Sequence, residues 1–206
     1  QAWRQQNRFH MYQYEINRMG QAVIFHPGEG SIPVYYNHQL SDIQIFYIRK
    51  AVERWNFSIG FDLFGEPTPG TSWNRNSIYI SWGHLGLSES GNQIHGLCRR
   101  FYINNSLFMR RYIDYSSITM WDRLPKRYIL VVLIHELGHS IGLGHDEDVR
   151  SVMYPRAAGS GGQIEAQDID FIIRFYSNRF NTSDIQSTNY TENQCIVDYR
   201  ENILVD

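Results

Sequence analysis

Cysteine is scarce in this chain of 206 residues. Cys98 and Cys195 have no CxxC spacing and are too few for a disulfide scaffold, so the fold must be held by a core. One bridge between them is expected in an exported chain, with two buried thiols as the alternative. No charge of one sign dominates either. Nineteen basic against twenty-one acidic residues leave −2 at pH 7, which excludes a sequence-independent binder of nucleic acid or anionic membrane. Long apolar runs are missing. The longest, Tyr128 to Ile134, has seven residues against the roughly 20 that span a bilayer. There is no repeat, no heptad array and no charged-then-apolar leader, so Gln1 is read as a mature end left by processing or as a boundary.

What is present is the composition of a packed globule: 42% hydrophobic, 15% aromatic and 19% charged residues. A chain of this length forms one ordinary domain or a compact pair of subdomains, and buries roughly 70% of its unfolded surface. Asn56, Asn104, Asn181 and Asn189 each head an Asn-x-Ser/Thr sequon, against about 1.6 expected by chance at this composition. Their number suits a secreted protein.

Residues 1 to 30 lack a clean period and are set apart as an extension of unclear role, ending at the Pro27 to Gly30 punctuation. Ser31 to Asn37 reads as a strand. Ser41 is an N-cap for a helix from Asp42 to about Phe57, with Ile45, Ile48, Val52 and Trp55 on one face. Gly65 to Gly70 is a loop, and Ser77–Trp82, Ile94–Asn104 and Tyr112–Met120 read as strands. Pro125 opens a second helix, apolar nearly all round, that stops near Gly142. Pro155 to Gly162 is irregular. Ile164 to Tyr176 is a third helix, and residues 177–206 form an Asn/Ser/Thr-rich tail with a final apolar patch around Cys195, Ile196, Val197 and Ile203 to Val205.

The chemistry lies in the string HELGHSIGLGH, His135 to His145. Four residues along a helix rotate a side chain by a net 40° and raise it roughly 6 Å, so His135 and His139 project from one face and can share an ion. Had the helix continued, His145 would stand about 15 Å from the first ligand, too far for a metal bond of about 2.0 to 2.1 Å. Gly142 and Gly144 let the chain break and return His145. Three neutral imidazoles suit zinc and leave a fourth position for water. Glu136, turned about 100° from His135, would sit beside that water as a general base. At this chain's own residue frequencies the five defining positions would coincide about 0.00005 times per sequence, so chance is not a serious competitor.

Ser151-Val152-Met153-Tyr154-Pro155 follows the third histidine by a short acidic loop. The extended zinc motif with this Met turn resembles the metzincin clan of zinc endopeptidases. The wording HELGHSIGLGH, SVMYP, AVERW in the first helix and EAQDIDFIIRFY in the last is most similar to the matrixin branch, from about Ile32 to Tyr176. The resemblance implies an α+β, α/β/α layered fold. Its twisted sheet would be mostly parallel with an antiparallel edge strand, and an active-site helix and a backing helix would stand above the cleft. A catalytic domain would cover 31–176, its upper subdomain reaching about residue 142 and its small irregular lower subdomain, 143–176, ending in the C-terminal helix. It also implies that His135, His139 and His145 bind one catalytic zinc, Glu136 is the base, Gly142 is the turn glycine and Met153 is the floor beneath the metal.

The chain departs from the branch at Asp146, where matrixins usually carry Ser, and at Pro155, where some branches have Tyr. No His-x-Asp with paired downstream histidines is present, which argues against a second zinc or structural calcium, and no cysteine-switch motif occurs in this sequence. His95 is read as an ordinary strand histidine, and Arg99, Arg100, Arg110 and Arg111 as solvated strand-end charges. The expected function is that of a secreted monomeric zinc endopeptidase. A peptide would pair with an edge strand within Ile94–Asn104, and Pro155 to Ala158 would frame the pocket after the scissile bond. The competing expectation is a non-catalytic, zinc-containing binding or toxin-like module.

Overall fold

Burial alternates along the strands and follows one face of the helices, as side-chain periods of 2 and 3.6 require. In Val34–Asn37 the buried residues are Val34 and Tyr36, and along Asp42–Ile59 they are Ile48, Ala51, Val52, Trp55 and Ile59. The structure, a computed structural model, describes residues 23–25, 30–71, 74–105, 110–156, 162–177 and 201–204. Its strands are β1 (Ile24–Phe25), β2 (Val34–Asn37), β3 (Thr68–Gly70), β4 (Ser77–Gly83), β5 (Ile94–Asn105), β6 (Arg110–Trp121) and β7 (Glu201–Leu204). The helices are α1 (Asp42–Ile59), α2 (Lys126–Ser140) and α3 (Ala166–Tyr176).

The strands form one sheet in the order β3-β2-β4-β6-β5-β7, and β1 pairs with β6 at Tyr112 and Ile113, just before β4 takes over that edge from Tyr115. β1, β2, β3, β4 and β6 pair in parallel, whereas β5 runs antiparallel to β6 with a register shift between Phe101 and Tyr102. This is the mostly parallel sheet that the metzincin resemblance implies. Ser41 starts α1, and its backbone N–H donates to the Gln44 side chain (2.9 Å), half of a capping box. The two large helices pack on each other, with Trp55 of α1 fully buried and its Nε1–H donating to the carbonyl of Ile134 in α2 (2.9 Å).

Three elements differ from the sequence-based expectations. Thr68–Gly70, within the expected loop, adds a short strand to β2. Val23, Ile24 and Phe25, within the expected extension, are buried in the main core. The antiparallel strand expected at the sheet's edge is flanked instead by β7, from the expected tail. No helix among the described residues is long and apolar enough to cross a membrane.

Candidate metal centre

α2 has apolar residues on every side because it crosses the interior, and the same burial encloses its polar ones. Ile129, Val132, Leu133, Ile134 and Leu137 are buried along with His135, Glu136 and His139. The helix ends at Ser140, and Gly142 turns the chain at φ 104°, a left-handed value that suits glycine. A Cβ at Gly142 would also overlap the carbonyl oxygen of Val23. His145 returns beside the helix. The rings of His135, His139 and His145 lie 4.4, 4.8 and 5.3 Å apart by centroid, and one ligand atom from each falls within 4.8 Å of the others.

Second contacts select the tautomers. His135 Nδ1 donates to the carbonyl of Val152 (2.6 Å) and His139 Nδ1 to that of Leu143 (2.8 Å). Since a carbonyl only accepts, each Nδ1 carries the proton and each Nε2 keeps its lone pair for a metal. The Nε2 of His135 is buried without a hydrogen-bond partner among the described residues, as fits a metal-ligand atom. Burial, followed by its two histidine neighbours, holds the His135 imidazole well below its ordinary 6.5, outweighing the Val152 bond. The ring is therefore neutral at pH 7. Two buried imidazoles so prepared, with the half-buried His145 beside them, fit zinc.

The loop beneath the triad is built from hydrogen bonds. The Met153 N–H donates to Ser151 Oγ (2.9 Å), the Met153 carbonyl accepts from the N–H of Asp146 (3.0 Å), and the Val152 N–H donates to the carbonyl of Gln163 (2.6 Å). Met153 itself is buried against the helix: a Cβ on Gly138 would overlap its Sδ and lie 3.2 Å from Trp55 Cζ2. A cleft of about 430 Å³ opens beside His145, lined also by Asp146, Glu147, Tyr154 and Pro155. A larger cleft of about 770 Å³ at the end of α1, between Arg49 and Glu66, contains none of the triad. Residues 157 and 158, expected to frame the pocket, lie outside the described residues.

Glu136 is fully buried between α2 and β5, where a Cβ on Gly96 would overlap its carboxylate. Gly96, Cys98 and Arg100 share one face of β5 by the period of two. That places Arg100 under the C-terminal end of α2, and it is a correction to the solvated role expected for it. Arg100 is 2% exposed and donates from Nη1 to the carbonyl of His139 (3.2 Å), one of the carbonyls that a helix end leaves without a helical partner. Arg99, on the other face, is exposed, and Arg111 stacks 3.9 Å over the Tyr102 ring. His95 is buried with its ring stacked on Trp121 (5.3 Å between centroids). Cys98 is buried, and Cys195, its expected partner, lies outside the described residues.

The tie that Tyr176 makes is not foreseen from the sequence, although the residue falls on the expected third helix. Its hydroxyl accepts from the N–H of Phe25 (2.9 Å) and donates to the carbonyl of Ile141 (2.7 Å), so β1 and α3 are tied together at the end of the active-site helix. The signal that could have found this was the Val23-Ile24-Phe25 run, too apolar for a solvated extension.

Among known proteins, rabbit (Oryctolagus cuniculus) interstitial collagenase is 42% identical over 73 residues, which are 34% of this chain and 16% of the collagenase. Pig (Sus scrofa) interstitial collagenase is 41% identical over 58 residues, 27% of this chain and 12% of its own length. Human matrilysin is 39% identical over 56 residues, 26% of this chain and 21% of the relative. The matches thus span about a fifth or less of these relatives. The profile of the matrixin family, peptidase family M10, matches residues 35–177, a span that takes in the sheet from β2 to β6, all three helices and the histidine triad. The chain belongs to the matrixin family of zinc-dependent peptidases.

Proposed function

We propose that this chain is an exported zinc endopeptidase that cleaves peptide bonds with Glu136 as its general base. The observation that carries the proposal is the convergence of three histidines, two with their tautomers set by backbone carbonyls, next to a buried glutamate on the same helix. His135, His139 and His145 would hold the metal. When bound, zinc acidifies a water and polarises the scissile carbonyl. Glu136 accepts the proton of that water and returns it to the leaving amine. Met153 and the Val152 carbonyl keep the triad in place from below. The substrate lies extended along β5, where main-chain hydrogen bonds align any sequence, and the cleft at Tyr154 and Pro155 takes an apolar side chain after the cut. Asp146 and Glu147 also line that cleft, and Arg156, next to Pro155 in the chain, is exposed. The proposed unit is a monomer with one zinc.

A non-catalytic zinc module has no use for a buried carboxylate beside the metal, because burying such a group is costly. Comparing two variants separates these readings. Glu136→Ala is expected to keep zinc while losing about 10² to 10⁴ in turnover, the usual worth of a positioned acid or base. His139→Ala is expected to lose zinc and activity together. A Glu136→Ala protein with near-normal activity at full zinc content rules out the base. A wild-type protein that holds zinc yet cleaves no member of a broad peptide library supports the binding module instead.

A further inference from the structure

A β-strand offers two hydrogen-bonding edges. Next to Glu136 both edges of β5 are occupied. β6 takes one, with Gly96 opposite Met120, Leu97 opposite Thr119 and Cys98 opposite Ile118. β7 takes the other, running antiparallel with Leu204 opposite Ile94, Asn202 opposite Leu97 and Glu201 opposite Cys98. This is the stretch of β5 that abuts the proposed base, because Gly96 has no room for a Cβ against the Glu136 carboxylate or Val132. An extended peptide aligned on β5 at this level therefore meets an edge already filled by the chain itself.

From this geometry we infer that residues 201–204 act as an intramolecular competitor, lying in the place where a substrate strand pairs with β5 beside Glu136. The inference rests on the peptidase reading above and adds regulation to the same site. β7 has four residues and its register slips between Ile94 and Leu97, so the pairing is short and can be displaced. Its covalent attachment offsets this weakness, because a tethered segment reaches an effective concentration on the order of millimolar. A strand seated nine-tenths of the time lowers the apparent affinity for a competing peptide by about tenfold without changing the chemistry of the bound complex.

The test keeps the full chain and removes ladder donors only. Successive residues of a strand point their N–H groups to alternate edges, so Asn202→Pro with Ile203→Pro deletes at least one donor toward β5 in any register. Zinc content should be unchanged. With a peptide substrate, kcat/KM should rise about tenfold, through KM and not kcat. An unchanged kcat/KM overturns the inference while leaving the peptidase intact. Should neither protein cleave any peptide, the peptidase reading fails, and a binding measurement decides about the strand. In a Glu136→Gln background, a fluorescent synthetic peptide of residues 199–206 should bind the proline-substituted chain and not the chain with its own β7. Equal binding to both, or to neither, overturns the inference.

Discussion

The two sides of the histidine triad are held by different physics. Above, His135 and His139 ride on a helix whose position is set by packing: Trp55 against α2, and Leu133, Ile134 and Leu137 in the core. Below, the stretch from Leu143 to Tyr154 has little regular structure and is set by hydrogen bonds, with Met153 bonded to Ser151 and Asp146 and Val152 bonded to Gln163. Packing energy is spread over many small contacts, whereas a buried hydrogen-bond network depends on each member. The upper side should therefore absorb single changes and the lower side should transmit them to the metal.

The largest effect is expected where the two sides join. Gly142→Ala forces a left-handed φ on a residue with a Cβ and drives that atom into a backbone oxygen, which has no rotamer by which to withdraw. The conformational cost of about 1–2 kcal/mol adds to an overpacking cost of about 1–3 kcal/mol. Urea unfolding of the zinc-loaded protein should show the sum, and zinc affinity should fall because His145 is displaced. A variant with wild-type stability and affinity would mean that the join is not rigid. A smaller effect is expected inside the lower network. Ser151→Ala strips the buried Met153 N–H of its acceptor, at about 1–3 kcal/mol, and loosens the Val152 carbonyl that holds His135. Zinc affinity should drop about tenfold, the low end for an outer-shell change, as read by competition with a chelator. If stability falls while affinity holds, the lower side supports the fold but does not tune the metal.

The same contrast explains what the sequence made legible. Helical spacing places His135, Glu136 and His139 on α2 because a helix has one geometry, and the period of two in Ser77–Gly83 and Val34–Asn37 marks strands for the same reason. Gly142 is legible as a turn because few other residues tolerate its φ. The carbonyls of Val152 and Leu143 were not, since every residue carries one and only the folded chain determines which reaches an imidazole. Arg100 misled because charge alone favours solvent, whereas its place on the face of Gly96 and Cys98 points it at the end of α2. The apolar patch at Ile203 to Val205 hinted at β7, but its partner could not be foreseen, because the pairing depends on an edge far away in sequence.

The smallest effect, and the most selective for the lower side, is a pH dependence at Asp168. This carboxyl is 2% exposed and accepts from the N–H of Glu165 (3.2 Å) at the start of α3. Burial pushes its pKa up from 3.8 to about 7, and the nearby carboxylates of Asp146 and Glu165 add to the rise while the Glu165 bond opposes it. Below pH 3.8 the group is protonated in folded and unfolded chains alike, so its contribution is constant. Between 3.8 and about 7 the unfolded chain has released the proton that the folded chain retains, so stability falls as pH rises through that window and levels off above it. Asp168→Asn does not titrate and keeps an oxygen for the Glu165 N–H. Its stability relative to wild type should therefore improve with pH by about 1–2 kcal/mol, below the 1.36 kcal/mol per unit of a full shift because buried sites relax and admit water. Both proteins share the histidine protonation that releases zinc in acid, so that effect cancels in the difference. Denaturant unfolding at pH 4.5, 6 and 7.5 measures the trend, and parallel curves for the two proteins would show that the Asp168 carboxyl ionises as freely folded as unfolded.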